Sequence, residues 1–529
     1  MKPVFGIYVG NSNASVAVCK EDGKIEVISN ELGERVTPAV VSIAVKEQLV
    51  GSVAKASMLS KSSSVITNNK LLLIKALYEE GKNKSKNPDV FIKDGVSHYK
   101  INLIGDADLI NNAGKVNTLI YRKLLDIAKS AIHAKDKDTL NCVVVLPLGL
   151  EESDVQYILQ SIVISGWNVL QTIREPNAPI LAYNLLDSTN KSIPKTTENI
   201  LVYRLGGVSS HATLLELLPG GMLSILESSY SNEGAYKLID SFVSYLANEF
   251  YKKYKLDPQE SPKSMVKLRQ HAETCMHSLS NLCNTNIFIE SLYEGVDFHL
   301  SVSRARIETI LMNLMTTFMK PINEALKKTA MNESDIHKVI LCGGPMKIPK
   351  LRACIKQQFK ISEIIEGLPF DEIMAIGAAK QAWYLEKFSQ INLKCTEITS
   401  DSKVLKIGTL LKIPVLKEVV VVVVTGYLED EFEMELNSLI PQTVKIFLAS
   451  SDKTQEVGKF NFEIFTKEKN TVLKKSLVKL ETCLEFVKDF EYALCILFDE
   501  KKELEICAEI MDKNTQNIMV KRMNFKIII

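Results

Sequence analysis

A strand, a short turn of small residues and a second strand occur twice in this chain of 529 residues. The first copy covers residues 5–18 and the second covers residues 202–215. Repetition of one supersecondary unit is typical of a domain built from similarly folded parts. We therefore expect two lobes of similar fold that face each other.

The region between and after these hairpins alternates apolar strand-like runs with long helical patterns. Residues 141–147 and 338–343 predict buried strands, whereas residues 236–255 and 303–329 carry apolar side chains at helical spacing. Alternation of this kind predicts an α/β sheet with helices packed on its faces. We assign residues 1–388 to this domain.

A different pattern follows residue 388. Short β-rich runs separated by turn residues replace the helical periodicity, which predicts an antiparallel β domain over residues 403–529. Residues 389–402 are predicted to be the linker.

Composition excludes several classes of protein. Lys plus Arg number 64 and Asp plus Glu number 63, so the net charge of +1 gives no global reason to expect binding to nucleic acid or an anionic membrane. The longest apolar run, residues 419–424, is too short to span a bilayer, and no signal-peptide core is visible at the N-terminus. The ten Cys form no CxxC pair, which favours free thiols over a metal site. We expect a cytosolic protein without a membrane partner and without a bound structural metal.

The two hairpin turns are candidates for binding phosphate. Turns of small residues direct backbone N–H groups outward and let a phosphate approach closely, and Ser hydroxyls add donors. A third turn of two glycines could lie against a base or ribose. The candidate residues are Gly10, Asn11, Ser12, Gly206, Gly207, Ser209, Gly343 and Gly344.

Longer segments make the chain similar to a known family, the seventy-kilodalton heat-shock chaperones. The segments are REPNAPILAY (174–183), SLYEGVDF (291–298), SRAR (303–306), LCGGPMKIPK (341–350), DEIMAIGAA (371–379) and LEICAEIMDK (504–513). The resemblance implies a two-lobed actin-like nucleotide-binding domain, built on a ribonuclease H-like repeat, followed by a small antiparallel β-sandwich. Since the chain stops at Ile529, within the segment that resembles the sandwich, we expect no helical lid.

The resemblance also assigns roles to individual residues. Lys70 aligns with the family's catalytic Lys, and Glu175 with the Glu that helps to orient water. The adenosine-contacting positions of the family correspond to Glu273, Ser280, Gly343, Gly344 and Asp371.

Other family positions are changed. Tyr8, Arg204 and His211 replace three Asp that organise the magnesium shell, Val208 replaces a turn glycine, and Met276 and His277 replace two basic adenosine contacts. Exchange of three Asp for these residues changes the local formal charge from −3 to +1. One charge pair near 5 Å is worth about 3 kcal/mol at an effective dielectric of 20. We therefore expect that ATP is bound weakly or not at all, that magnesium is doubtful, that there is no catalytic residue, and that the protein is not an ATPase.

Arg204 leaves two alternatives open. Its guanidinium could donate two hydrogen bonds to phosphate in place of magnesium, which would make ATP binding weakly dependent on magnesium. Alternatively, Arg204 forms a structural ion pair in an empty cleft.

The predicted loss of catalysis and of the lid resembles the atypical chaperone subunit of the ribosome-associated complex. The resemblance implies a stable pair with a zuotin-type J-domain protein, indirect contact with the ribosome and with nascent polypeptides, and action through a second heat-shock chaperone. Gln171 stands where the family has an Arg that couples it to J-domains.

Three other interpretations stay open. The first is an active ATP-dependent chaperone with altered catalytic residues, which Lys70 and Glu175 favour. The others are a small-molecule kinase of the same fold superfamily and a nucleotide exchange factor of the large heat-shock type.

Overall fold

The computed structural model describes residues 3–389 apart from 21–22, 45–46, 60–63, 75–88, 94, 102–108, 136–137, 186–196 and 218–222. Beyond residue 404 it describes only the backbone of the strands.

Nineteen strands precede residue 389 in the described chain. They are β1 (Val4–Val9), β2 (Asn13–Cys19), β3 (Ile25–Val27), β4 (Thr37–Pro38), β5 (Val41–Ile43), β6 (Gln48–Val50), β7 (Val65–Ile66), β8 (Asp89–Lys93), β9 (Val96–Ile101), β10 (Leu109–Asn112), β11 (Leu140–Leu146), β12 (Trp167–Arg174), β13 (Glu198–Leu205), β14 (Ser210–Leu217), β15 (Leu223–Ser231), β16 (Asn284–Tyr293), β17 (Val296–Ser303), β18 (Lys338–Cys342) and β19 (Glu363–Ile365).

The helices of the same region lie between these strands. They are α1 (Ser52–Ala56), α2 (Asn69–Leu73), α3 (Ala113–Ala131), α4 (Glu152–Ser165), α5 (Asn177–Ala182), α6 (Tyr236–Tyr254), α7 (Pro262–Asn281), α8 (Arg304–Thr329), α9 (Pro349–Gln358) and α10 (Ile373–Ser389), with short 3₁₀ turns at Ser57–Leu59, Pro258–Glu260, Glu333–Asp335 and Gly344–Lys347.

Two sheets share one strand order, which confirms the repeat predicted from the hairpins. The first runs β3-β2-β1-β11-β12 and the second runs β15-β14-β13-β18-β19. In each sheet the first three strands are antiparallel, and the third pairs in parallel with the fourth. Each hairpin therefore lies at the centre of its own sheet.

A shared apolar core joins the two sheets. It contains Val4 and Val143 from the first sheet, Ile200 and Ile340 from the second, and Ala378 of α10. All five residues are fully buried. Because α5 and α10 belong to this core, they hold the two sheets in a defined relation. The cleft between the hairpins follows from that relation.

The chain beyond residue 404 forms antiparallel strands. They are β20 (Leu405–Ile407), β21 (Leu411–Ile413), β22 (Val419–Thr425), β23 (Asp430–Met434), β24 (Gln442–Leu448), β25 (Val457–Glu468), β26 (Thr471–Glu485), β27 (Phe490–Phe498), β28 (Glu503–Asp512) and β29 (Ile518–Ile528). Two sheets of four strands have the orders β23-β22-β25-β26 and β24-β27-β28-β29.

Strands were expected in this region, but their packing into a sandwich stays a prediction. The predicted linker, residues 389–402, lies outside the described residues except at its first position. Within the described part of the chain, no helix combines the length and apolarity needed to cross a membrane.

Candidate functional site

The two repeated hairpins close with the same backbone geometry. Gly10 N donates to Asn13 O over 2.9 Å, and Gly206 N donates to Ser209 O over 2.8 Å. Alignment of the two turns makes position 8 on β1 equivalent to position 204 on β13. Tyr8 and Arg204 are therefore matching residues of the two repeats.

The turns approach each other across the cleft. A Cβ added at Gly207 would lie 2.1 Å from Oγ of Ser12 and 3.2 Å from the Tyr236 ring. A side chain at this position would displace the Ser12 hydroxyl and press against the Tyr236 ring. The structure thus brings the predicted phosphate turns together, with their tips in contact.

A buried ion-pair cluster lies beside the turns. Glu175 Oε1 lies 3.2 Å from Nζ of Lys70, and Glu175 Oε2 lies 3.1 Å from Nε of Arg204. The hydroxyl of Tyr8 donates to Glu175 Oε1 over 3.3 Å, and Lys70 also donates to Val9 O over 2.9 Å. The exposed fractions of the Lys70, Glu175 and Arg204 side chains are 11 %, 6 % and 13 %. The sequence left two roles open for Arg204, and in this structure the residue forms an ion pair with Glu175.

Electrostatics keeps this cluster charged despite its burial. Burial alone would raise the pKa of Glu175, but Arg204 and Lys70 outweigh it and hold that pKa well below its usual range. Burial lowers the pKa of Lys70, and Glu175 opposes that change. Two cations and one anion leave the cluster with one uncompensated positive charge.

His211 borders the same cluster as a neutral side chain. Burial, and then the charge of Arg204, lower its pKa from 6.5 to about 3. Its ring packs edge-on against Tyr230 with 4.5 Å between the ring centres. A neutral imidazole adds no further positive charge beside Arg204.

A small cavity remains at this end of the cleft. Its volume is about 30 Å³, and Tyr8, Asn11, Lys70, Glu175, Arg204, Ser209 and His211 are among its lining residues. This space accommodates a few water molecules and is too small for a chain of phosphates. The phosphate end of the cleft is thus narrow in this structure.

The other end of the cleft carries the predicted adenosine contacts. Glu273 on α7 forms an ion pair with Lys55 of α1 at 2.5 Å, and Asp371 forms one with Lys347 at 2.5 Å. Burial lowers the pKa of His277. Lys55 and Lys347 lower that pKa further, whereas Glu273 and Asp371 oppose the change, so all four charges lie near the His277 ring.

The glycine turn lies close by. Gly343 N donates to Phe370 O over 2.7 Å, so the turn adjoins the segment that carries Asp371. No atom lies within 4 Å of a Cβ added at Gly344, which leaves that face open. Ser280 donates to Met276 O within α7 over 3.0 Å, so its hydroxyl is already engaged.

The structure groups the sequence-predicted residues at two places. Gly10, Asn11, Ser12, Lys70, Arg204, Gly206, Gly207 and Ser209 lie at the phosphate end, and Glu273, Ser280, Gly343, Gly344 and Asp371 lie towards the other end. Sequence reasoning missed Lys55, Lys347 and Tyr230. Nothing in their local sequence marks them, because each reaches the site from a separate element.

The residues present fit an anion better than a divalent metal. Among the described residues, no group of three or more His, Cys, Asp or Glu could hold a metal ion. Glu175 is the one carboxylate among the lining residues given above, and it is already paired with two cations. Metal binding through carboxylates therefore does not fit this cluster. The two cations and the backbone N–H groups of the turns do fit phosphate oxygens.

Comparison with known proteins agrees with this architecture. The family model described as Hsp70 protein matches residues 4–409, more than half of the chain. The chain belongs to the Hsp70 family. Its nucleotide-binding domain has the mixed α/β sheets of the actin-like fold that the resemblance implied.

Relatives within the Hsp70 family share about a third of their residues with this chain. Heat shock 70 kDa protein 14-A of Xenopus laevis is 34% identical over 383 residues, covering 72% of this chain and 74% of the relative. Heat shock 70 kDa protein 14 of Mus musculus is 35% identical over 384 residues, with the same coverage of 72% and 74%. Heat shock 70 kDa protein 14 of Danio rerio is 33% identical over 399 residues, covering 75% and 77%.

Membership of this family corrects one prediction. Loss of ATPase activity was inferred from Tyr8, Arg204 and His211, but members of the Hsp70 family are ATPases, and the similar proteins are named as heat shock proteins. Charge counting around one metal shell was not a sufficient reason to classify the chain as a non-enzyme. Family members typically bind ATP with Mg²⁺, so nucleotide binding is the property that this cleft shares with them.

Proposed function

We propose that this protein is an Hsp70-family chaperone that binds and hydrolyses ATP in the cleft between its two lobes, with altered residues around the phosphates. One observation carries the proposal: Lys70 and Arg204 both form ion pairs with Glu175, beside the point where the two phosphate turns meet. Lys70 and Glu175 are also the two groups of the family's catalytic set that this chain retains.

The altered residues define how the phosphates are neutralised. Arg204 offers a planar set of N–H donors that can bind two phosphate oxygens at once, and Lys70 offers a compact positive charge. Both occupy the region where family members place carboxylates around magnesium. ATP binding by this chain therefore depends little on magnesium.

Calorimetric titration of ATP into the purified chain, with magnesium and then with EDTA, tests this dependence. We expect the two dissociation constants to agree within about threefold, and we expect Arg204→Gln to weaken binding at least tenfold, since a charged hydrogen bond contributes about 1.5–3 kcal/mol. Arg122→Gln, on the exposed face of α3, serves as the matched control and should bind as the parent does. A strict requirement for magnesium contradicts the proposal.

Single-turnover hydrolysis of radiolabelled ATP tests the chemical step. Turnover that Lys70→Ala abolishes and Arg122→Gln leaves unchanged is the expected result. Retained binding without any turnover, alone and with a J-domain present, contradicts hydrolysis and leaves binding intact.

The partner proposed for this chaperone is a zuotin-type J-domain protein in the cytosol, with indirect contact to the ribosome and nascent chains through a second heat-shock chaperone. Support comes from Gln171, which replaces the family's J-coupling Arg and accepts a hydrogen bond from Gln381 over 2.8 Å. Because this position lacks the Arg charge, the proposed pairing uses contacts other than the charge-driven one of other members.

Co-purification with a zuotin-type protein, followed by sedimentation with ribosomes, tests this pairing. A complex that survives gel filtration, and that sediments with ribosomes only when the J-domain protein is present, supports it. Sedimentation of the chain alone, or failure to form the complex, contradicts it.

A further inference from the structure

Glu175 contacts the two cations that the proposed function assigns to phosphate. Its two carboxylate oxygens contact the hydroxyl of Tyr8, Nζ of Lys70 and Nε of Arg204, at 3.3, 3.2 and 3.1 Å respectively. Lys70 and Arg204 are the cations assigned above to the phosphates of ATP. A planar carboxylate and a tetrahedral phosphate each present a pair of anionic oxygens to which an Arg can donate two hydrogen bonds, so they bind the same donors.

The contacts of Glu175 also cross the cleft. Lys70 and Glu175 belong to the first lobe, where α2 and the end of β12 place them, whereas Arg204 lies on β13 of the second lobe. The Glu175–Arg204 ion pair is buried, so salt screens it little. It therefore ties the two lobes together at the depth of the cleft.

The narrow cavity and this cross-lobe pair describe one state. The cavity of about 30 Å³ cannot admit a phosphate chain while the turn tips touch and Glu175 bridges the cations. Entry of phosphate requires that the lobes move apart and that Glu175 gives up Arg204. A ligand favours the open state only through the additional contacts that it makes there.

Resting on the proposed function, we propose that Glu175 is an internal competitor of the phosphate chain and a latch between the lobes. In the nucleotide-free chain its carboxylate satisfies Lys70 and Arg204 and holds the cleft shut. A polyphosphate, with more charge and more oxygens, takes over both cations and releases the latch. Glu175 thereby sets the affinity for any polyphosphate, independently of the adenosine contacts.

Sodium tripolyphosphate is the probe that isolates this competition, because it lacks the base and ribose. Binding is measured by calorimetry in EDTA for the full-length parent, Glu175→Gln and Glu198→Gln. Glu198 pairs with Lys338 at the far end of β13, so its variant removes a part-buried ion pair of the same sheet away from the cleft.

Glu175→Gln is expected to bind tripolyphosphate at least about tenfold more tightly than the parent, a change of about 1.4 kcal/mol. Its nucleotide-free form should melt at a lower temperature, and amide hydrogen exchange at the turn Gly206–Ser209 should be faster. Glu198→Gln should match the parent in binding and exchange. Equal or weaker binding by Glu175→Gln overturns the proposal.

A second variant covers the possibility that Glu175→Gln does not fold. Glu175→Asp keeps the charge but shortens the side chain by one methylene, so one carboxylate can no longer reach both cations. It should bind tripolyphosphate more tightly than the parent, by less than tenfold, and unchanged affinity overturns the latch.

The outcomes separate this inference from the proposed function. A parent that binds ATP, together with a Glu175→Gln variant that gains nothing, overturns the latch alone. If the parent binds neither ATP nor tripolyphosphate but Glu175→Gln binds tripolyphosphate, ATP binding by the native chain is overturned. The role of Glu175 as a competitor of phosphate is then supported. Failure of both to bind overturns both.

Discussion

Arg204 changes the electrostatic environment of every titratable group around it. It stabilises the charged form of Glu175 and, after burial itself, is the next cause that keeps His211 neutral. Arg204 therefore helps to keep Glu175 charged and His211 neutral. Its effect on His211 makes stability dependent on pH.

His211 is expected to destabilise the fold in mild acid. Its pKa falls from 6.5 to about 3 on folding, so between these values the unfolded chain binds more protons than the folded chain. Unfolding then takes up protons, and stability decreases as pH falls below about 6.5, by about 2 kcal/mol at pH 5.

Thermal melts at pH 7.5 and pH 5 check this expectation. The loss of melting temperature between the two should be smaller in His211→Gln than in the parent, and unchanged in His299→Gln, which removes an exposed histidine. An equal loss in all three proteins means that another group governs the acid response.

At the scale of elements, α10 packs unusually close to its neighbours. A Cβ added at Gly377 would lie 1.9 Å from the carbonyl oxygen of Ala178 in α5. The Cβ has a fixed position on its backbone, and the carbonyl oxygen is itself a backbone atom. Neither can rotate away, so the two helices must separate. The shared core between the two sheets depends on this approach.

Gly377→Ala is therefore expected to lower stability by about 1–3 kcal/mol, the range for overpacking, despite a gain in helix propensity. Gly114→Ala in α3 is the matched control, since its Cβ meets only the movable side chain of Tyr157, at 2.6 Å. Denaturant unfolding measures both variants, and a larger loss in Gly114→Ala contradicts the argument.

Elements with a strong local pattern could be predicted from the sequence, whereas the site's contacts could not. The runs 236–255 and 303–329 became α6 and α8 because apolar side chains recur at helical spacing. Glu175 between Lys70 and Arg204 had no such signal, because three distant segments meet only after folding. The wrong prediction about ATPase activity concerned the same cluster. It was drawn from the separate identities of Tyr8, Arg204 and His211, without their contacts in the fold.

At the scale of the whole molecule, residues 4–382 contain buried cores that join both repeated sheets. Ala382 of α10 is buried in the core shared by the two sheets, and Trp383 and Leu385 pack against it. A unit with its own core is expected to fold by itself. The boundary at residue 388 stays a prediction, which truncation tests.

A fragment of residues 1–389 is expected to keep the parent's melting transition and its tripolyphosphate affinity. A fragment ending at residue 372 lacks α10 and should not fold, because Met374 and Ala378 contribute to the core shared by both sheets. Calorimetry and circular dichroism compare the two. Aggregation of the longer fragment contradicts independent folding.

Tyr8 and Arg204 hold equivalent places in the two repeats, and both bind the carboxylate of Glu175. The two repeats thus meet at a single carboxylate. A mutation in either half alters the environment of the other, although they are far apart in sequence. A substitution at position 8 or 204 therefore has to be compatible with the retained Glu175 as well as with its own repeat.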